Sequence, residues 1–124
     1  MNGKLTNSVD FNIEALRCGD LFVDLVAHRA SWKGQPVHLG PTQFAILQHL
    51  MTYPGKIFTR EQLHEAVWGH RINVERRTVD VHIRRIRKAL NHAPGSGVVR
   101  TVRGVGYALQ AASDTIQDEA RHLT

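Results

Sequence analysis

Eight cations fall between Arg76 and Arg103: Arg76, Arg77, Arg84, Arg85, Arg87, Lys88, Arg100 and Arg103. This 28-residue stretch holds one acid, Asp80, and carries +7, whereas the other 96 residues carry −2. Guanidinium and ammonium groups bring charge and hydrogen-bond donors but no acceptor, so their chemistry is the holding of anions. Segregated in this way, they point to a polyanionic partner more strongly than the net charge of +5 does. The competing reading is a solvated helix face, the ordinary fate of a charge run.

Catalytic chemistry is poorly supplied. The histidines at 28, 38, 49, 64, 70, 82, 92 and 122 are scattered, with no His-x-x-x-His pair, and Cys18 has no partner at zinc spacing. No metal site and no cofactor are therefore expected. Gly104-Val105-Gly106 is a lone Gly-x-Gly in an expected hairpin rather than a strand-to-helix phosphate loop. No serine lies in a nucleophile elbow. The chain is expected not to be an enzyme. A single cysteine suits a reducing compartment. Met1 to Asn7 lacks the apolar stretch of a secretory leader, and no apolar run nears the roughly 20 residues that cross a bilayer. Cytoplasm, with no membrane partner, is the expected setting.

The elements that would position the cations can be read from periodicity. Residues 1–15 are polar and aperiodic, a linker or frayed end; 16–110 read as one domain; 111–124 form a polar tail. From Leu16 to Leu39, short apolar runs (Leu21-Phe22-Val23, Val37-His38-Leu39) alternate with turn residues (Gly19-Asp20, Lys33-Gly34-Gln35-Pro36), giving a small antiparallel sheet. At Gly40-Pro41 the period lengthens. Pro41 suits a first helical turn after a Gly40 N-cap, with Gln43 at N3 and with Phe44, Leu47, Leu50 and Met51 on the core face. Tyr53-Pro54-Gly55 ends that helix. Thr59-Arg60-Glu61-Gln62 is a capping box opening a second helix, with Leu63, Ala66 and Val67 at helical spacing and Gly69 as its close. A third helix is expected from Val74 or Glu75 to Leu90 or Asn91. Val98–Val102 and Val105–Leu109 then form a hairpin around Arg103-Gly104.

On that third helix Val79, Ile83, Ile86 and Leu90 share a stripe about 60° wide, the buried seam. Arg77, Arg84 and Lys88 project opposite it. Thr78, His82 and Arg85 occupy one flank, and Asp80 and Arg87 the other. An apolar spine with a cationic outer arc suits the major groove of duplex DNA, about 12 Å wide, which admits one helix. The whole is α+β: a winged helix-turn-helix with an N-terminal antiparallel sheet, three helices and a C-terminal hairpin wing.

Here the residues resemble a known family. Gly40-Pro41-Thr42-Gln43-Phe44, Thr59-Arg60-Glu61-Gln62-Leu63, Val67-Trp68-Gly69, the run from Arg77 to Leu90, and Thr101-Val102-Arg103-Gly104-Val105-Gly106-Tyr107 are similar, in order and spacing, to the effector domains of OmpR/PhoB-type response regulators. The likeness is greatest to the PhoB branch. It implies a transcription regulator that binds double-stranded DNA, without cofactor. By resemblance, Thr78, Asp80, Val81 and Arg85 would touch bases, and Arg103 would enter the minor groove. Arg60, Trp68, Arg77, His82, Arg84, Arg87 and Thr101 would hold phosphates. The loop of Gly69, His70, Arg71, Ile72, Asn73, Val74 and Glu75 would face the RNA polymerase sigma subunit, with a second copy in tandem on a direct-repeat promoter site.

Each assignment has a plainer competitor. Arg87 could pair with an acid, His82 could be a plain surface residue, and Trp68 could be core packing with a free indole N–H. Arg60 opposes a helix dipole where it stands, which favours a phosphate role. Asp80 could simply orient Arg77 or Arg84 on the helix surface. The family's N-terminal receiver is absent from this sequence, so an excised effector domain is the favoured expectation over a stand-alone regulator. Competing functions are a protein-interaction module and a structured-RNA binder.

Overall fold

The structure is a computed structural model and describes residues 14–69, 75, 77–91 and 97–110. The expected loop residues His70 to Val74, together with Arg76, the 92–96 connection, the N-terminal linker up to residue 13 and the 111–124 tail, lie outside them.

Four short strands, β1 (Ala15–Cys18), β2 (Leu21–Asp24), β3 (Arg29–Trp32) and β4 (Gln35–Val37), form an antiparallel meander in the order β1-β2-β3-β4. Alternation decides its faces: Leu21 and Val23 are buried, and their neighbours Phe22 and Asp24 are only half-buried. The β3–β4 turn is tighter than the expected Lys33-to-Pro36 segment. Lys33 and Gly34 alone make it, both at positive φ (52° and 81°), as a two-residue type I′ hairpin requires. Gln35 and Pro36 therefore belong to β4, with Pro36 opposite Ser31. Proline is tolerated there because β4 is an edge strand.

α1 (Pro41–Thr52) follows, with Phe44, Ile46, Leu47, Leu50 and Met51 buried. α2 (Arg60–Trp68) starts at the expected capping box: the Thr59 hydroxyl accepts from Gln62 N–H at 3.1 Å, and Gln62 Oε1 accepts from Thr59 N–H at 2.9 Å. Leu63 is its buried residue, while Ala66 is exposed. α3 (Thr78–Ala89) is shorter than expected at its start. Glu75 is not helical, and Arg77 is the N-cap, with no side-chain cap bond. Carried back at 100° per residue, a helix extended to position 74 would put that position away from the buried seam. The seam is as expected: Val79, Ile83, Ile86 and Leu90 are all buried.

A second sheet closes the fold, in the order β5-β7-β6. β6 (Val99–Val102) and β7 (Gly106–Leu109) are the hairpin, with Arg103 and Gly104 central to its turn and Val105 N–H donating to Val102 carbonyl at 2.9 Å. Gly104 has φ +77°, the value a type II turn requires at its third residue. The strand resumes at Gly106, one residue later than expected. β5 (Phe58–Thr59), unanticipated and only two residues long, pairs with β7 through Phe58↔Tyr107 and Thr59↔Gly106. A Cβ on Gly106 would stand 1.9 Å from the Phe58 carbonyl oxygen, so only glycine lets the two backbones meet. One continuous core joins the meander, the helices and the hairpin, and Cys18 Sγ reaches the Gln110 carbonyl at 3.3 Å across the two sheets.

Candidate nucleic-acid interface

α3 meets the rest of the molecule on three of its sides. Its seam enters the core. The flank bearing Asp80 and Arg87 meets the hairpin. Asp80 Oδ1 accepts from Tyr107 hydroxyl at 2.5 Å and from Arg60 Nε at 2.7 Å. Arg87 Nε donates to the Val99 carbonyl at 3.0 Å, and its Nη2 donates to Thr101 Oγ1 at 2.8 Å. Arg60 and Arg87 both lie over the Tyr107 ring, at 5.5 and 5.7 Å from its centroid. Tyr107 is buried with its hydroxyl on a carboxylate, and burial first, then Asp80, pushes its pKa up. The hydrogen bond that Arg60 donates to Asp80 likewise raises the pKa of Arg60.

These contacts revise the expected pairing of Asp80. Its partner is Arg60, across on α2, rather than Arg77 or Arg84 on its own helix. The pair relieves the unfavourable placement of Arg60 at a helix start. Both bonds converge on Oδ1; Oδ2 takes neither. Arg87 and Thr101, both expected at phosphates, bond each other.

The opposite flank meets α1 and α2. His82 Nδ1 lies 2.6 Å from Gln43 Nε2, and its ring is 5.8 Å from that of Trp68, which in turn is 5.1 Å from His64. Burial, then the nearby Arg85 charge, lowers the His82 pKa. Trp68 is half-buried, so its ring packs against the core without being enclosed.

The fourth side is open. Val81, Arg84, Arg85 and Lys88 are exposed there. Thr78, at the first turn, is half-buried. Arg77 bonds Glu75 Oε1 at 2.6 Å, yet its side chain is 82% exposed, so that pair is weak and readily exchanged for another anion. Arg103 is exposed at the hairpin turn beside Val105. Of the expected loop, Gly69 caps α2 through its N–H on the Glu65 carbonyl, and Glu75 accepts from Thr78 N–H. The sequence reading missed two residues that organise the site, Gln43 and Tyr107. The helix wheel gave polar flanks on α3 that call for partners, but which residues supply them is set by contacts 27 and 39 positions away. Among the described residues no helix is long and apolar enough to cross a membrane.

Comparisons with known proteins agree with this geometry. The family model "Transcriptional regulatory protein, C terminal" matches residues 34–109. The chain is similar to the phosphate regulon transcriptional regulatory protein PhoB of Rhizobium meliloti, 52% identical over 96 residues, 77% of this chain and 42% of that protein. It thus spans less than half the length of that relative. The Klebsiella pneumoniae RstA DNA-binding domain, solved in complex with the RstA box, superposes with a TM-score of 0.71 at 30% identity over 79% of this chain and 98% of that one. The response regulator DrrB, a Thermotoga maritima OmpR/PhoB homolog, gives 0.73 at 34% identity over 84% and 48%. The winged-helix fold is thus shared with these proteins, and the chain belongs to the OmpR/PhoB-type family of transcriptional regulatory DNA-binding domains, a non-enzymatic family, on its PhoB side.

Proposed function

We propose that this chain is the output domain of a two-component response regulator. In this reading it binds direct-repeat promoter sites with α3 in the major groove and Arg103 of the wing in the minor groove. The observation that carries the reading is the one open side of α3, where Val81, Arg84, Arg85 and Lys88 are exposed while both flanks are occupied. Arg85 and Thr78 read bases, Val81 offers a methyl-sized apolar contact, and Asp80 reads through the oxygen its partners leave. Arginine favours a narrow minor groove because the negative potential there is enhanced. Arg60, Trp68, Arg77, His82, Arg84, Arg87 and Thr101 hold phosphates, Arg87 through the one guanidinium nitrogen that the hairpin does not use. The name of the PhoB relative supports phosphate-responsive genes as the target. The 69–75 segment faces the polymerase sigma subunit, and a second copy sits in tandem.

Binding to duplexes selected from a random pool, measured by fluorescence anisotropy across salt, tests this. With about six phosphate contacts, log K falls with log salt at a slope near −5. Arg85→Ala should relax base preference and lose about 1–3 kcal/mol on the selected site, with little change on random DNA. Equal losses on both, or a preference for duplex RNA of the same sequence, would refute the assignment.

A further inference from the structure

We propose that Gln43 is a positioning residue for the recognition helix: it holds His82 as a neutral imidazole with its proton on Nε2, so that α3 offers a DNA phosphate one uncharged donor among its arginines. The proposal rests on the reading of His82 as a phosphate contact. Its basis is a hydrogen-bond inventory running from α1 to α3. Gly40 N–H donates to Gln43 Oε1 at 2.7 Å. A backbone N–H cannot accept, so the carboxamide must place its oxygen there, and its other end carries donors only. That end, Nε2, is 2.6 Å from His82 Nδ1. Two donors cannot meet at this separation, so Nδ1 bears no hydrogen. A ring with a bare Nδ1 is neutral and carries its proton on Nε2, at the edge turned from Gln43. An imidazolium is excluded by the same inventory.

The groups around the ring act in the same direction. Arg85, on α3 itself, disfavours a second positive charge, and burial does so more strongly. Gln43 comes from α1, and Trp68 from α2 with His64 beyond it; none of these supplies an acid. Gly40 supplies the backbone donor. A Cβ there would lie 2.7 Å from Gln43 Oε1, so a side chain at this position would make the amide give by a few tenths of an ångström, as the Gln62 amide does over Thr59 N–H at the start of α2. With φ −68° and ψ 167°, alanine fits the backbone at this position, so only the flexible amide must move.

Long-range proton–nitrogen correlation spectra of the ¹⁵N-labelled chain at pH 7 should show His82 with Nδ1 bare and Nε2 protonated. In Gln43→Glu, the new carboxylate still accepts from Gly40 N–H but also presents an acceptor to Nδ1, so the proton affinity of His82 should rise at least tenfold. Gln43→Met, which removes the amide, should abolish the single-tautomer signal. On a selected duplex, Gln43→Met should weaken binding about three- to tenfold in the native background and not at all in a His82→Ala background. A protonated Nδ1 in the native chain, or additive losses in that cycle, would overturn the proposal. If His82→Ala binds as tightly as the native chain, the phosphate contact is lost and the donor role with it, whatever the tautomer. If the native chain binds no duplex, the DNA reading itself is what fails.

Discussion

At the scale of single residues, the site depends on how each arginine and acid divides its bonding capacity. Arg87 gives one guanidinium edge to a strand carbonyl and one nitrogen to Thr101. It anchors the wing before it can touch a ligand. Arg87→Lys, with one compact charge in place of a planar fork, should therefore lose more than charge-neutral behaviour predicts. We expect about 1–2 kcal/mol of stability to be lost, seen as a fall in Tm of roughly 5–15 °C. Asp80→Ala strips the buried Tyr107 hydroxyl of its acceptor and should cost about 1–3 kcal/mol in urea denaturation, whereas Tyr107→Phe should cost less. If Asp80→Ala leaves the midpoint unmoved, the hub formed by Arg60, Asp80 and Tyr107 is ornamental. These residues mark where sequence reading ran short. A helix wheel places Asp80 and Arg87 together on one flank, but the identity of what faces that flank is set by tertiary packing with residues 12 to 27 positions away. The outward placing of Arg84 and Lys88 was legible because it follows from the period of α3 alone, whereas Arg85, read onto the flank of His82, stands exposed with them.

At the scale of elements, turns and caps were readable, since their chemistry is local. The Thr59 capping box and the Arg103-Gly104 turn stand where residue types placed them. β5 was not readable. Two residues carry no period, and the strand exists because β7 offers a partner with no Cβ in the way. Gly106→Ala should accordingly be among the most damaging single changes. One methyl group driven into the Phe58 backbone must unpair β5 from β7 or push the hairpin out, and we expect a loss of more than 3 kcal/mol or no folded chain. Gly104→Ala faces open space and should cost about 1 kcal/mol, because only its positive φ is disfavoured. Circular dichroism melts of both proteins distinguish steric from conformational need; comparable losses would contradict this division. The start of α3 was misjudged for a different reason: low-propensity, β-branched residues leave the boundary to packing, and packing begins at Val79.

At the scale of the whole molecule, stability should follow pH through histidine. His82 and His49 both have lowered pKa values, each chiefly by burial, with Arg85 and Lys56 respectively adding to it. A group that resists protonation when folded binds fewer protons than in the unfolded chain, so stability rises with pH wherever the two states differ. The fold should be most stable above the ordinary histidine pKa near 6.5 and should weaken as pH falls below it. Melting temperatures between pH 5 and 8 measure this, and a flat profile would show that neither ring is held neutral. The overall architecture was legible because pattern, capping and turn chemistry agree along most of the chain. The last consequence belongs to Pro36. In a two-residue hairpin the pair beside the turn, Trp32↔Gln35, exchanges the inner hydrogen bonds, so the nitrogen of the next residue faces outward from β4. A proline there removes the donor that an added strand would need first. Two copies of this domain brought side by side at high concentration can then touch through side chains along β4 without fusing their sheets.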